Sequence, residues 1–249
     1  MENRPPVSEG SASICLMTAL LAGCGGAEAP SSSTGRIATS AQPERTLTLT
    51  IDRVESAAPI PAYVHRNGLS FSLDAIFQSL DIALSIQAQA AVPDPNGGAA
   101  YSDAEIHAAR DWFKKPPAGQ GWHVQAILLP LAESEDLGLV FQDTRDGFVV
   151  FTEAAGTQAS LLRTTAHELG HTLNLFHNDG DGDLACCLDA PTWALTGRSI
   201  MNQSRCLSAD WEFAFSSTEK EHVTSHPEDR VKPGSSAFGE CTLSHRKLC

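Results

Sequence analysis

The chain has 249 residues, 42% hydrophobic and 19% charged, the balance of a globular protein with a core and not of a disordered one. Its formal charge of −13 argues against nucleic acid as a partner and predicts repulsion from anionic surfaces. No apolar run reaches the ~18 residues that a membrane-spanning helix needs.

In chain order, Ser11 to Leu21 is a short, mostly apolar run behind Arg4, closed by Leu21-Ala22-Gly23-Cys24. That tetrapeptide resembles a bacterial lipobox, where a signal peptidase cuts before the cysteine and the cysteine is lipidated. The acidic Glu2 and Glu9 weaken the segment before it, and a secretory signal with a chance cysteine is the plainer alternative. The lipobox reading makes residues 1–23 a signal peptide and Cys24 the lipidation site. It implies an exported, membrane-anchored lipoprotein, periplasmic, at the cell surface or released, which meets the membrane only through its lipid. Residues 24–44 are rich in Gly, Ala, Ser, Thr and Pro and read as a flexible tether.

Regular patterning starts at residue 45. Thr46 to Ile51 alternates with period two, a strand, and Ser72 to Leu80 carries Leu73, Ile76, Phe77 and Leu80 at helical spacing. Ile82, Leu84 and Ile86 make a second strand, and Pro93 to Gly98 is a loop. Ser102-Asp103-Ala104-Glu105 is a capping box that opens a helix with Ile106, Ala109 and Phe113 inward. Val124–Leu129, Leu137–Gln142 and Phe148–Thr152 follow as strands, the last two joined by a turn at Asp143 to Gly147. A helix is expected from about Gln158 to Leu173, and a short final one from Phe215 to Val223. Strands alternating with helices argue for an α/β layered domain.

The chemistry sits in His167-Glu168-Leu169-Gly170-His171, extended by Asn174 and His177. Helix positions four apart share a face, so His167 and His171 can bind one Zn²⁺ with Glu168 beside it as a base and not a ligand. On a continuing helix His177 would lie roughly 240° round the axis and ~9 Å further along, out of reach. The chain must therefore break and swing back near Asn174, a residue type that enters the left-handed region at modest cost.

With that motif the chain resembles the metzincin clan of zinc metallopeptidases, whose extended motif usually has Gly where Asn174 stands. Ser199-Ile200-Met201-Asn202 is similar to the clan's Met-turn, which sets Met201 beneath the zinc histidines. The resemblance implies a mixed, twisted five-stranded sheet with the zinc helix among its helices. It also implies an upper lobe over 45–176 and an irregular, disulfide-linked lower lobe over 177–249, together one catalytic domain. It makes Leu137–Gln142 the candidate antiparallel edge that pairs with substrate. The second half also resembles the pappalysin branch, although Asp189-Ala190-Pro191 stands where that branch has Asp-Thr-Pro. Asp189 or Glu212 is a competing third ligand, and the clan's spacing favours His177.

The implied activity is that of a zinc endopeptidase acting on protein or peptide substrates as a monomer, zinc-bound water attacking with Glu168 as general base. The rival is a surface-displayed binding module on the same fold with little turnover. Asp179, Asp181 and Asp183 alternate between glycines, either as a Ca²⁺ site or as a solvated acidic loop. Five cysteines follow Cys24. Cys186 or Cys187 is expected to bridge to Cys206, and Cys241 to Cys249, leaving one over. His222 and His226, four apart with no third ligand in sight, read as an exposed helix face. Trp193 and Trp211 read as lower-lobe core.

Overall fold

The strands that sequence periodicity marks assemble into one sheet. In the computed structural model, which describes residues 45–113, 121–177, 199–202 and 212–237, its order is β4-β1-β5-β7-β6. The members are β1 (Arg45–Arg53), β4 (Ile82–Ala88), β5 (Trp122–Leu129), β6 (Gly138–Val140) and β7 (Gly147–Phe151). β1 runs parallel to β4 and β5, β5 runs parallel to β7, and β6 alone is antiparallel, on the edge beside β7. This is the expected mixed five-stranded sheet. Residues 1–44, Asp179, Asp181, Asp183, Cys186, Cys187, Asp189, Trp193, Cys206, Trp211, Cys241 and Cys249, with the tether, lipidation, calcium and disulfide expectations placed on them, lie outside the described residues.

Burial explains which strands sit where. β5 and β7 are apolar almost without a break, as strands covered on both faces must be, and every residue of Gly147–Phe151 is buried. β4 and β6 take the edges, and their burial is patchier. Helices α1 (Leu73–Gln78) and α3 (Gln158–Thr172) pack on the sheet and touch each other. Helix α2 (Asp103–Trp112) begins where expected, with the Ser102 backbone N–H donating to Glu105 Oε2 at 2.9 Å. Among the described residues no helix is long and apolar enough to cross a membrane.

Three features depart from the sequence reading. A hairpin, β2 (Val64–Arg66) and β3 (Leu69–Phe71), stands apart from the main sheet, and β2 lies against α3. Its turn is Asn67-Gly68, both with positive φ (52° and 76°), the pair that a two-residue hairpin turn demands. The final helix, α4 (Ser217–Ser225), starts two residues later than expected and is followed by a single turn, α5 (Glu228–Val231). His222 and His226 are not on an exposed face: both are buried, their rings 4.2 Å apart. The reason is that α4 is pinned at two points. Glu219 accepts a hydrogen bond from Ser199, and Arg45 donates to the Val223 carbonyl, which turns that face of the helix inward.

Candidate metal centre

Helix α3 carries the site and is buried from Leu161 to Thr172, all of it but the first turn. Polar side chains on such a helix need partners inside the protein. Thr165 and Thr172 return their hydroxyls to the carbonyls of Leu161 and Leu169, at 2.8 and 2.7 Å. Thr157 caps the start, its side chain accepting from Ser160 N at 3.1 Å.

The helix ends as the geometry of three ligands requires. Asn174 has φ 64°, in the left-handed region. Its N–H donates to His171 O at 2.9 Å and that of Leu175 to Gly170 O at 3.3 Å, the two bonds of a Schellman turn. Asn174 is fully buried, and its Nδ2 donates to Arg230 O at 3.3 Å. Glycine, with no side chain, could make the turn but not that bond to α5. Arg145, itself at φ 52° and fully buried, donates from Nη1 to Thr172 O at 2.7 Å and from Nε to Ser236 O at 2.8 Å. A cation there satisfies one of the helix's last carbonyls and suits the negative end of its dipole.

The chain then returns His177 to the other two histidines. The three Nε2 atoms form a nearly equilateral triangle, with His167–His177 3.0 Å, His167–His171 3.1 Å and His171–His177 3.1 Å. Among the described residues this is the group able to hold a metal ion. The hydrogen positions can be argued. His167 Nδ1 lies 2.7 Å from Ile200 O and His171 Nδ1 lies 2.6 Å from Leu175 O. A carbonyl only accepts, so both Nδ1 atoms carry the hydrogen and donate it. Burial foremost, with neighbouring positive charge behind it, lowers His167 well below the usual histidine range, and burial first and His177 second push His171 down to about 3. Both rings are thus neutral, and their Nε2 lone pairs face each other with no proton between them. That arrangement is repulsive by itself and favourable around a cation. The centre of such a triangle lies about 1.8 Å from each corner, close to the ~2.0–2.1 Å of a Zn–N bond, so the three nitrogens could share one ion. The donor set fits a metal.

Glu168 lies next to the triad, 6% exposed. Burial first, and then the charge of Asp136, raises its carboxyl to about 8, with Arg163 pulling the other way. A cation in the triad would draw it back down. Residues 199–202 turn against α3, where Ile200 O lies 2.7 Å from His167 Nδ1. Met201 is fully buried, and a Cβ added at Gly170 would stand 2.5 Å from its Sδ, so the glycine between the histidines is what lets the sulfur approach the helix. The turn is held from two sides. Arg163, buried on α3, donates to Ile200 O at 2.9 Å and to Asn202 O. Ser199 Oγ donates to the Glu219 carboxylate at 2.7 Å and accepts from Met201 N at 3.0 Å.

A cleft of about 600 Å³ opens over the site, walled on one side by Asp136 to Val140 and on the other by His167, Glu168 and His171. Of the expected site residues, the structure brings His167, Glu168, His171, His177 and Met201 together. Of the two competing ligands, Glu212 is not in the metal-holding group among the described residues, and Asp189 lies outside them. The sequence reading missed Arg145, Arg163, Glu219 and Gly138. Only Glu219 had a local signal, since Ser216-x-x-Glu219 is a capping-box pattern.

No family model matches the chain, and no curated protein matches it. Among solved structures, metalloproteinase-II from Bacteroides fragilis is similar, with a TM-score of 0.35 and 14% identity over 68% of this chain and 55% of that one. This chain thus spans about half the length of that structure. The metal site is read from its own nitrogens and carbonyls, independently of that likeness.

Proposed function

We propose that this chain is a zinc-dependent endopeptidase of the metzincin type. The observation that carries the reading is the convergence of three imidazole Nε2 atoms within 3.0–3.1 Å, two of them fixed as lone-pair donors, with the buried Glu168 alongside. His167, His171 and His177 would hold the ion. Zinc so bound supplies a Lewis acid that polarises a carbonyl and makes a nearby water acidic.

The rest of the chemistry falls to the chain. Glu168 takes the proton of the attacking water and hands it to the leaving amine. The β6 edge aligns the substrate. Phe151 N donates to Leu137 O and Phe141 N to Gly147 O, so residues 137, 139 and 141 spend their backbone groups on β7. Gly138 and Val140 then turn theirs outward, where an extended peptide can add as another strand. The substrates we propose are extracellular or periplasmic proteins. The protein itself would be exported and anchored by lipid at Cys24, a reading supported by Leu21-Ala22-Gly23-Cys24 alone.

The test is metal analysis joined to casein digestion, with and without a chelator, on wild type and Glu168→Gln. A single zinc, digestion that stops on chelation, and a variant that keeps zinc but loses on the order of 10²–10⁴ in turnover are expected. A zinc-loaded wild type that digests nothing would leave binding as the function and end the peptidase reading.

A further inference from the structure

Glycine is a poor strand residue, since it has no side chain to pack and loosens the backbone. Gly138 nevertheless opens β6. Its φ is not positive, so the backbone at that point would accept any L residue. What excludes a side chain is space. A Cβ built on Gly138 would stand 2.6 Å from Glu168 Cγ, 2.8 Å from its Oε1 and 2.9 Å from its Cδ. Non-bonded carbons prefer ~3.5–4.0 Å, so one partner would have to move. Neither moves cheaply. Glu168 stands on the buried stretch of α3, and β6 is tied to β7 on both sides of Gly138, at Leu137–Phe151 and Phe141–Gly147.

We propose that Gly138 is the positioning residue for Glu168: the missing side chain is the slot in which the carboxylate stands beside the imidazoles. The role depends on the reading of Glu168 as the base. A methyl group at 138 would swing the carboxylate about its side-chain torsions, away from a water held over the triad. Gly138 also presents its N–H and C=O to the open edge, so the residue that leaves room for the base also helps dock the substrate backbone above it.

The experiment is a double-mutant cycle on the full chain with Gly138→Ala and Glu168→Ala. In metal-free protein, thermal unfolding should show Gly138→Ala lowering Tm by several degrees when Glu168 is present. In the Glu168→Ala background, where no Cγ is left to strike, that fall should vanish. In zinc-loaded protein Gly138→Ala should keep its zinc and its KM but lose kcat on the order of 10²-fold, the usual effect of a ~1 Å misplacement. An equal fall in Tm in both backgrounds overturns the proposal, because the cost would then be one of backbone and not of contact with Glu168. So does a zinc-loaded Gly138→Ala with kcat within about twofold of wild type, against the loss expected from misplacement. If zinc-loaded wild type cleaves no peptide, the peptidase reading fails by itself, while the unfolding cycle still decides whether Gly138 fixes Glu168.

Discussion

Replacing Asn174 tests the turn on which the triad depends. Asn174→Ala keeps a Cβ but loses the residue type that tolerates φ 64°, which costs about 1–2 kcal/mol. It also removes the 3.3 Å bond from Nδ2 to Arg230 O, a long one, at about 0.5–1 kcal/mol. The sum, about 1.5–3 kcal/mol, corresponds to roughly 3–12 °C in Tm for a domain of this size. Asn174→Gly regains the left-handed turn, loses the same bond and adds about 0.5 kcal/mol of unfolded-chain entropy, so its loss should be near half that of alanine. Thermal unfolding of metal-free protein reads both, because bound metal would mask the difference by mass action. Zinc affinity should fall in the same order, since Leu175 O, which holds the His171 ring, and His177 both lie just past the turn. An alanine variant that melts within about 1 °C of wild type, against the several degrees expected, and binds zinc as tightly would refute the claim that this turn brings His177 back.

Arg145→Leu should destabilise the protein by at least about 3 kcal/mol in urea unfolding, because Thr172 O and Ser236 O lose a charged donor at a site with no exposure; Arg145→Lys should rescue only part, lacking the fork. Gly170→Ala should cost about 1–3 kcal/mol by overpacking against Met201 Sδ at 2.5 Å, and the cost should shrink in a Met201→Ala background. Asp52 is buried, and burial holds its carboxyl above the usual aspartate range against the 2.8 Å bond donated by Gln125 Nε2. A folded-state pKa that is raised means stability present below the unfolded value, ~3.9, and lost as pH rises through the folded one. Asp52→Asn should therefore gain stability relative to wild type as pH goes from 4 to 7, and a gap that stays flat across unfolding curves in that range would count against the burial argument.

Much of the site could be read along the chain because its parts are local. His167 and His171 share a helix face by their spacing, Glu168 adjoins them, and Asn174 carries its own backbone preference, so a window of residues 167–177 already implies a helix that ends and turns back. The five strands were visible for the same reason: alternation and apolar runs such as Phe148 to Phe151 record which faces are covered. The hairpin at Asn67-Gly68 has a strong turn signal, but its strands are three residues long, too short to show periodicity.

Contacts between residues far apart in the chain left no local trace, and tertiary structure alone decided them. His222 and His226 sit on a helix with little apolar patterning, and they are buried because Arg45 and Ser199, 178 and 20 positions from their partners Val223 and Glu219, pull that helix inward. Nothing local in the sequence sets Arg145 and Arg163 apart from other cations. They are interior clamps because carbonyls at Thr172, Ser236, Ile200 and Asn202 converge on them. Gly138 carries no mark in the sequence of its closeness to Glu168, which α3 alone sets against it. The sequence determined by itself which side chains could share a metal, since helical spacing and a left-handed residue are properties of a few consecutive residues. Only the folded chain decided what holds them still, since packing, charge burial and close approach depend on atoms that neighbour each other in space alone.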